Sequence, residues 1–204
     1  GIDPLVVIDS HGADAMRFTL VSMTTQTQDV RMPLKELTLP DGRKVNSSEK
    51  FDLGRNFCNK LWNASRFAMM NLAGAPPWQT VRPRANLADA WILSRLNSTI
   101  RDATAAIESF RFNELADTLY HFMWDDLCDW YLEIAKGRIG AGAQEPKAVL
   151  AHCLDVLLRL LHPVAPFITE EIWSKLNAVA PDRGPTGDRA ERLLVAAQWP
   201  YADA

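Results

Sequence analysis

The residues of this chain best suited to chemistry lie in one unbroken run, Arg55-Asn-Phe-Cys-Asn-Lys-Leu-Trp-Asn-Ala-Ser-Arg66-Phe67. Wound as an α-helix at about 100° per residue, the run puts Arg55, Asn56, Asn59, Lys60, Asn63 and Arg66 within one arc of roughly 140°. Phe57, Leu61, Ala64, Ala68 and Leu72 fall on the opposite side. An ordinary solvated helix face mixes Glu with Lys, yet no carboxylate occurs between Arg55 and Leu72. Amides and guanidiniums donate to phosphates and read base edges, so this face suits a nucleic acid. Phe67 also falls on the polar arc, and an exposed aromatic beside cations suits an unstacked base. The plainer alternative is a solvated helix with one stray aromatic.

Other chemistry finds less support. Asp117, His121, Asp125 and Asp129 recur every fourth residue on one helix, a spacing at which neighbours can share an ion. That stripe lies about 150° from the apolar stripe of its helix, so it faces water with no second helix to complete a ligand set. A solvated acidic face is the expectation, with no metal. The chain holds no Gly-x-Ser-x-Gly, and His11, His121, His152 and His162 lack recognisable catalytic partners in sequence. Gly137-Arg-Ile-Gly140-Ala-Gly142 follows a helix and is no phosphate-binding loop. Trp124 and Trp130, near Tyr131, are read as packing. No catalytic residue is expected.

The elements that must position the Arg55–Phe67 run read as helices. Asp3-Pro4 opens a short helix to about Asp9, Gly12 breaks it, and Ala13 to Met23 forms the next. Alternation around Asp41-Gly42 predicts a small hairpin near 37–45. Asn46 with Glu49 resembles a capping box for the following helix, which runs to about Leu72. Ala73 to Arg84 is a linker. A long helix spans Asn86 to about Ser109, with Leu87, Trp91, Leu93, Leu96, Ile100 and Ile107 apolar. Another starts on an Asn113 cap and reaches about Lys136, with Leu115, Leu119, Phe122, Leu127, Trp130 and Ile134 inward. Helices from about Glu145 to Leu161 and from Pro166 to about Asn177 follow. Residues 180–192 read as a mobile loop, and Leu193 to Pro200 as a strand or extended segment. The fold class is all-α, a helical bundle.

With 204 residues and 48% hydrophobic content, the chain can bury a substantial core. The net charge of −3 argues against a dedicated nucleic-acid binder. The charge is uneven, however. Glu49 to Asn71 holds four cations against two acids, and Phe110 to Lys136 holds two cations against six acids. Cys58, Cys128 and Cys153 sit in apolar helical patterns, as suits a reducing cytosol. No leader, membrane span or lipidation signal is apparent.

The order of several blocks resembles the valyl-tRNA synthetase family. They are Gly12-Ala-Asp-Ala-Met-Arg17-Phe18, Gln28-Asp29-Val, the Arg55–Phe67 run, and Leu87-Ala-Asp-Ala-Trp-Ile-Leu-Ser-Arg-Leu96. Leu127-Cys-Asp-Trp-Tyr-Leu-Glu133 and Leu160-Leu-His-Pro-Val-Ala-Pro-Phe-Ile-Thr-Glu-Glu171 continue the likeness, which extends from Ile2 to about Pro200. The isoleucyl type usually shows Arg-Asn-Thr near Leu-Arg-Phe, so the valyl assignment rests mainly on Asn-Phe-x-Asn-Lys-Leu-Trp-Asn-Ala. Glu36 to Ser48 is longer than the usual connection.

The resemblance implies a helical bundle of the class I anticodon-binding type. It divides the chain into a junction from the catalytic domain at 1–45, the bundle at 46–178, and a loop with an extended segment at 179–204. The His-Ile-Gly-His and Lys-Met-Ser-Lys-Ser signatures of the family do not occur. The chain is therefore expected to be a fragment of an enzyme, with no activity by itself, and the full-length ligase would supply ATP and Mg. Expected partners are the anticodon loop of a tRNA for valine and the catalytic domain of the same polypeptide, in the cytoplasm. The fragment is expected to be monomeric and to make no membrane contact. On this reading Arg55, Lys60 and Arg66 meet phosphates, Asn56, Asn59 and Asn63 meet sugar or base edges, and Phe67 stacks a base. The alternatives are a structural spacer, a protein-binding bundle with Phe67, Met70 and Trp78 as its patch, or the same domain of an isoleucyl or leucyl enzyme.

Overall fold

A computed structural model describes residues 1–25, 28–38, 41–82, 85–184 and 189–202. The Asp3 carboxylate accepts the Leu5 N–H at 2.9 Å, and Pro4 takes the first turn of α1 (Pro4–His11). Gly12, at φ +96°, ends α1 and turns the chain straight into α2 (Ala13–Ser22), a conformation that favours glycine.

Two side chains of α2 clamp the far end of the sequence. Asp14 accepts the N–H groups of Phe167 (3.3 Å) and Ile168 (2.5 Å) in the first turn of α8 (Pro166–Val179). Those donors have no partner within their own helix. Arg17 donates to the carbonyls of Val164 and Pro163, both at 2.9 Å, just beyond α7 (Glu145–Leu161). Between them Phe18 enters the core and stacks on Phe57, ring centroids 4.0 Å apart. The Gly12–Phe18 block is thus a corner brace. Burial raises the Asp14 carboxyl above its ordinary value, against the pull of the two N–H groups.

The hairpin pairs β1 (Lys35–Thr38) with β2 (Lys44–Ser47) antiparallel, with Leu37 opposite Val45. Leu39 and Pro40 of the expected turn lie outside the described residues. The expected Asn46–Glu49 capping box does not form. Asn46 is drawn into β2 opposite Glu36, and α3 (Phe51–Asn71) starts later, with Ser48 Oγ accepting the Lys50 N–H at 3.3 Å. α3 crosses α2 at Gly54, where a Cβ would stand 2.1 Å from the Ala15 carbonyl oxygen and 2.6 Å from Thr19 Oγ1.

Asn86 caps α4 (Leu87–Glu108) by accepting the Ala88 N–H at 3.0 Å. Leu87, one of the apolar positions of this helix, is 86% exposed because it opens the helix before the helix reaches the bundle. Arg84, at the end of the expected linker, lies outside the described residues. The next helix starts at Phe112, not on an Asn113 cap, and continues to Gly140. It is α5 (Phe112–His121), then a π-helical stretch π1 (Phe122–Tyr131), then α6 (Leu132–Gly140).

The i→i+5 bonds of π1 take more residues per turn, so side chains beyond it are rotated from their α-helical positions. Trp130 and Ile134, expected inward, are 64% and 40% exposed, while Tyr131 and Ala135 are fully buried instead. Tyr131 donates its hydroxyl to buried Asp89 at 2.7 Å, and Arg138 pairs with the same oxygen at 2.5 Å.

α7 is buried nearly all round and forms the centre of the bundle. Beyond α8, Arg183 is buried on Asp155, and the carbonyl of Glu191 accepts the Trp173 indole N–H at 2.8 Å. Leu194, in a 3₁₀ turn (Leu194–Ala196), is held by the Glu170 carboxylate at 2.9 Å. The segment expected as a strand or extended chain therefore carries a short helical turn. Among the described residues no helix is long and apolar enough to cross a membrane.

Candidate nucleic-acid interface

α3 is a two-faced helix because its apolar residues recur at core spacing. Phe57, Leu61, Ala68 and Leu72 are at most 1% exposed. On the other side Arg55, Asn56, Asn59, Asn63 and Arg66 are exposed, and Lys60 and Phe67 are half-buried. Met70 lies at the middle of the same arc and is 73% exposed. The side chains of Asn56, Asn59, Asn63 and Arg66 make no hydrogen bond or ion pair with other described residues. Their donors are free for a ligand.

The other members of the face are already engaged. Arg55 pairs with Asp52 at 2.6 Å, one turn earlier. Lys60 reaches across to Asp129 of π1 at 3.0 Å, and its Nζ stands 4.5 Å from the centroid of the Trp124 ring. Phe67 lies beneath Lys136 of α6, Nζ to ring centroid 4.5 Å, and Lys136 in turn pairs with Glu133. A groove of about 330 Å³ runs between α3 and π1, lined by Lys60, Asn63, Cys128, Asp129, Leu132 and Glu133. From Arg55 onward the helix itself carries no carboxylate, but Asp52 in its first turn holds Arg55, and the neighbouring helix brings Asp129 and Glu133 to the edge of the face.

Sequence reasoning missed Lys136 and Trp124 as neighbours of this face. The Phe110–Lys136 stretch was legible as acidic, but the register of π1 decides which of its side chains point toward α3. Trp124 ends an aromatic file that runs from the core to the surface. Phe18 stacks on Phe57, Phe57 lies 5.8 Å from Tyr120, and Tyr120 lies 5.4 Å from Trp124. The file stiffens the middle of α3 against α2 and α5.

The remaining candidates take ordinary structural places. Asp117, His121, Asp125 and Asp129 have side chains 74%, 57%, 51% and 51% exposed. His121 hydrogen-bonds Asp125 at 2.6 Å, and that bond raises its pKa above the usual imidazole value. Among the described residues no group of three or more His, Cys, Asp or Glu is arranged to hold a metal ion.

Each histidine has a partner that sequence did not reveal. His11 meets Ser10 Oγ at 2.7 Å and Asp52 at 3.5 Å, His152 packs on Trp78, and His162 meets Thr169 at 2.9 Å. The Ser10 hydroxyl is spent on the Val6 carbonyl at 2.7 Å, so the Ser10–His11–Asp52 string presents no activated nucleophile. The three thiols are unpaired. Burial pushes Cys58 up to about 12 and Cys128 up to about 11, which leaves both inert at neutral pH.

An all-α bundle presenting a cation and amide face defines a class of nucleic-acid-binding domain, and the relatives of the chain agree. Residues 89–204 match the sequence profile of the anticodon-binding domain of tRNA ligase, and the chain belongs to that family. It is 40% identical to the valine–tRNA ligase of Rhodopirellula baltica over 100% of this chain and 24% of that protein. Against the valine–tRNA ligase of Latilactobacillus sakei the identity is 48%, over 86% of this chain and 19% of the relative. The chain thus spans about a fifth to a quarter of the length of these relatives.

Among solved structures it is similar to the agnB2 LeuRS of Agrobacterium radiobacter K84, described as a ternary complex with tRNA and LeuAMS. The TM-score is 0.69 with 24% identity, over 98% of this chain and 21% of that one, a likeness of fold. The profile match begins in α4, so α3 lies outside it; the Rhodopirellula likeness runs through α3.

Proposed function

We propose that this chain is the tRNA-binding part of a valine–tRNA ligase and that its α3 face receives the anticodon loop. The carrying observation is the row Asn56, Asn59, Asn63 and Arg66, exposed and unpartnered within the described chain. Free amide and guanidinium donors on a rigid helix suit sugar, phosphate and unpaired bases together. Arg55 and Arg66 take phosphates, the three asparagines take sugar or base edges, and Phe67 stacks a base. Lys60 joins them when a phosphate competes with Asp129 for its ammonium.

In this reading the joining of valine to tRNA, with its ATP and Mg, belongs to the remainder of a longer cytoplasmic polypeptide. The present chain acts as a monomer that holds the far end of the tRNA. The spacer alternative keeps one observation in its favour, the Lys60–Asp129 pair that ties α3 to π1.

The deciding experiment is fluorescence anisotropy of labelled valine tRNA with this chain at low and moderate salt, beside a tRNA with a swapped anticodon. Preferential, salt-sensitive binding that is weakened by Phe67→Ala supports an anticodon reader. Equal binding to both tRNAs, or none at low salt, makes the bundle a scaffold.

A further inference from the structure

A second cavity, of about 1060 Å³, lies between α4, α7 and the C-terminal segment and shares no lining residue with the α3 face. Among the described residues its walls carry the rings of Trp78, Trp199 and Tyr201 and the guanidiniums of Arg82, Arg159 and Arg189. Trp199 is held by its indole N–H, which donates to Thr104 Oγ1 at 2.9 Å. Trp78 leans on His152 with centroids 4.4 Å apart. Tyr201 is 82% exposed at the mouth.

The charge of this wall is unusual. Arg159 and Arg183 both place Nε 2.8 Å from the carboxylate of Asp155, whose side chain is 3% exposed. Arg183 is itself 1% exposed, and its Nη2 has no hydrogen-bond partner among the described residues. Two guanidiniums on one buried carboxylate leave a positive charge behind the cavity wall, where little water screens it. Among the described residues the cavity lining carries three arginines, Arg82, Arg159 and Arg189, against Asp155 and Glu191, with Arg183 behind them on Asp155.

We propose that this cavity binds a nucleotide, either free or as an unpaired residue of an RNA. The base stacks on the aromatic wall of Trp78 and Tyr201, and the phosphate is held by Arg159 with Arg82 and Arg189. Aromatic faces with adjacent guanidiniums recognise bases and phosphates together. A purely apolar ligand would leave the excess positive charge uncompensated, and an acidic peptide would make no use of the rings. The cavity is of the size that small-molecule sites have. The inference stands on this cavity alone and does not depend on the α3 reading.

The test titrates the chain with N-methylanthraniloyl-AMP and, separately, with a fluorescein-labelled hexauridylate. Saturable binding is expected, weakened about tenfold or more by Tyr201→Ala and by the pair Arg82→Ala with Arg189→Ala. The pair Arg43→Ala with Lys44→Ala removes the same charge from the hairpin and leaves binding unchanged. All five side chains are exposed, and coincident thermal melts confirm intact folds. Binding of the mononucleotide identifies a free ligand, and binding of the oligonucleotide alone identifies an RNA residue. No saturable binding of either probe, or an equal loss in the hairpin pair, overturns the proposal.

Discussion

Lys136 Nζ stands 4.5 Å from the centroid of the Phe67 ring, so the ring offered by α3 is capped by a cation from α6. The two residues are far apart in sequence and meet because π1 sets the rotation of α6. A ring with an ammonium on one side holds its orientation, and on the proposed reading the same ammonium would meet the phosphate of a base stacked on that ring.

From this relationship the expected cost of Phe67→Ala is about 1–3 kcal/mol of tRNA binding, the usual worth of one stacked base. Lys136→Gln keeps the ring and removes one phosphate partner, so the slope of log K against log salt should fall by about one unit. Anisotropy titrations across a salt series separate the two effects. A Phe67→Ala variant that binds as the parent does would remove the stacking role.

On the proposed reading, Asp129 competes with RNA for Lys60. Asp129→Asn frees that ammonium and takes a negative charge from the groove beside Asn63. Binding should tighten, and its salt dependence should steepen by about one phosphate contact. If Lys60 only fastens α3 to π1, the variant will leave affinity unchanged or weaken it.

Gly54 is where α2 and α3 touch backbone to backbone. A Cβ there would lie 2.1 Å from the Ala15 carbonyl oxygen, inside any allowed contact, so the two helices must separate. Gly54→Ala should cost about 1–3 kcal/mol or more despite the better helix propensity of alanine. Urea unfolding followed by far-UV circular dichroism measures it, and a midpoint equal to the parent's would mean that the crossing yields without strain.

The His121–Asp125 contact makes stability depend on pH with a definite sign. The hydrogen bond to Asp125 raises His121 above 6.5, with Asp117 and Asp126 adding to it and burial opposing it. Its contribution is therefore complete below pH 6.5 and is lost as pH rises through the higher native value. His11 acts in the opposite sense, because burial lowers its pKa, so the comparison must be with a variant. Between mildly acidic and mildly alkaline pH the thermal midpoint of the parent should fall more than that of Asp125→Asn. Parallel pH profiles would show that the contact is not maintained in solution.

Much of the architecture was legible because it follows from local periodicity and breakers. Asp3-Pro4, Gly12, Asn86 and Pro166 mark helix boundaries through groups that act within one turn, and all four do so in the structure. The hairpin was legible from alternation. Asn113 and the Asn46–Glu49 pair failed as caps because neighbouring choices, an earlier start at Phe112 and pairing of Asn46 in β2, outweighed a local signal.

What the sequence alone determined is the two-sided chemistry of α3. One helical period separates Phe57, Leu61, Ala68 and Leu72 from the cations and amides, and burial of the apolar set turns the others outward. Tertiary structure decided everything that depends on a second helix. The i→i+5 winding of π1 turned Trp130 and Ile134 to solvent, brought Asp129 to Lys60 and set Lys136 over Phe67. Packing of the tail also laid Arg183 on buried Asp155, which already pairs with Arg159 one turn along α7. Such meetings depend on helix rotation and on packing across the bundle, and a one-dimensional pattern holds neither.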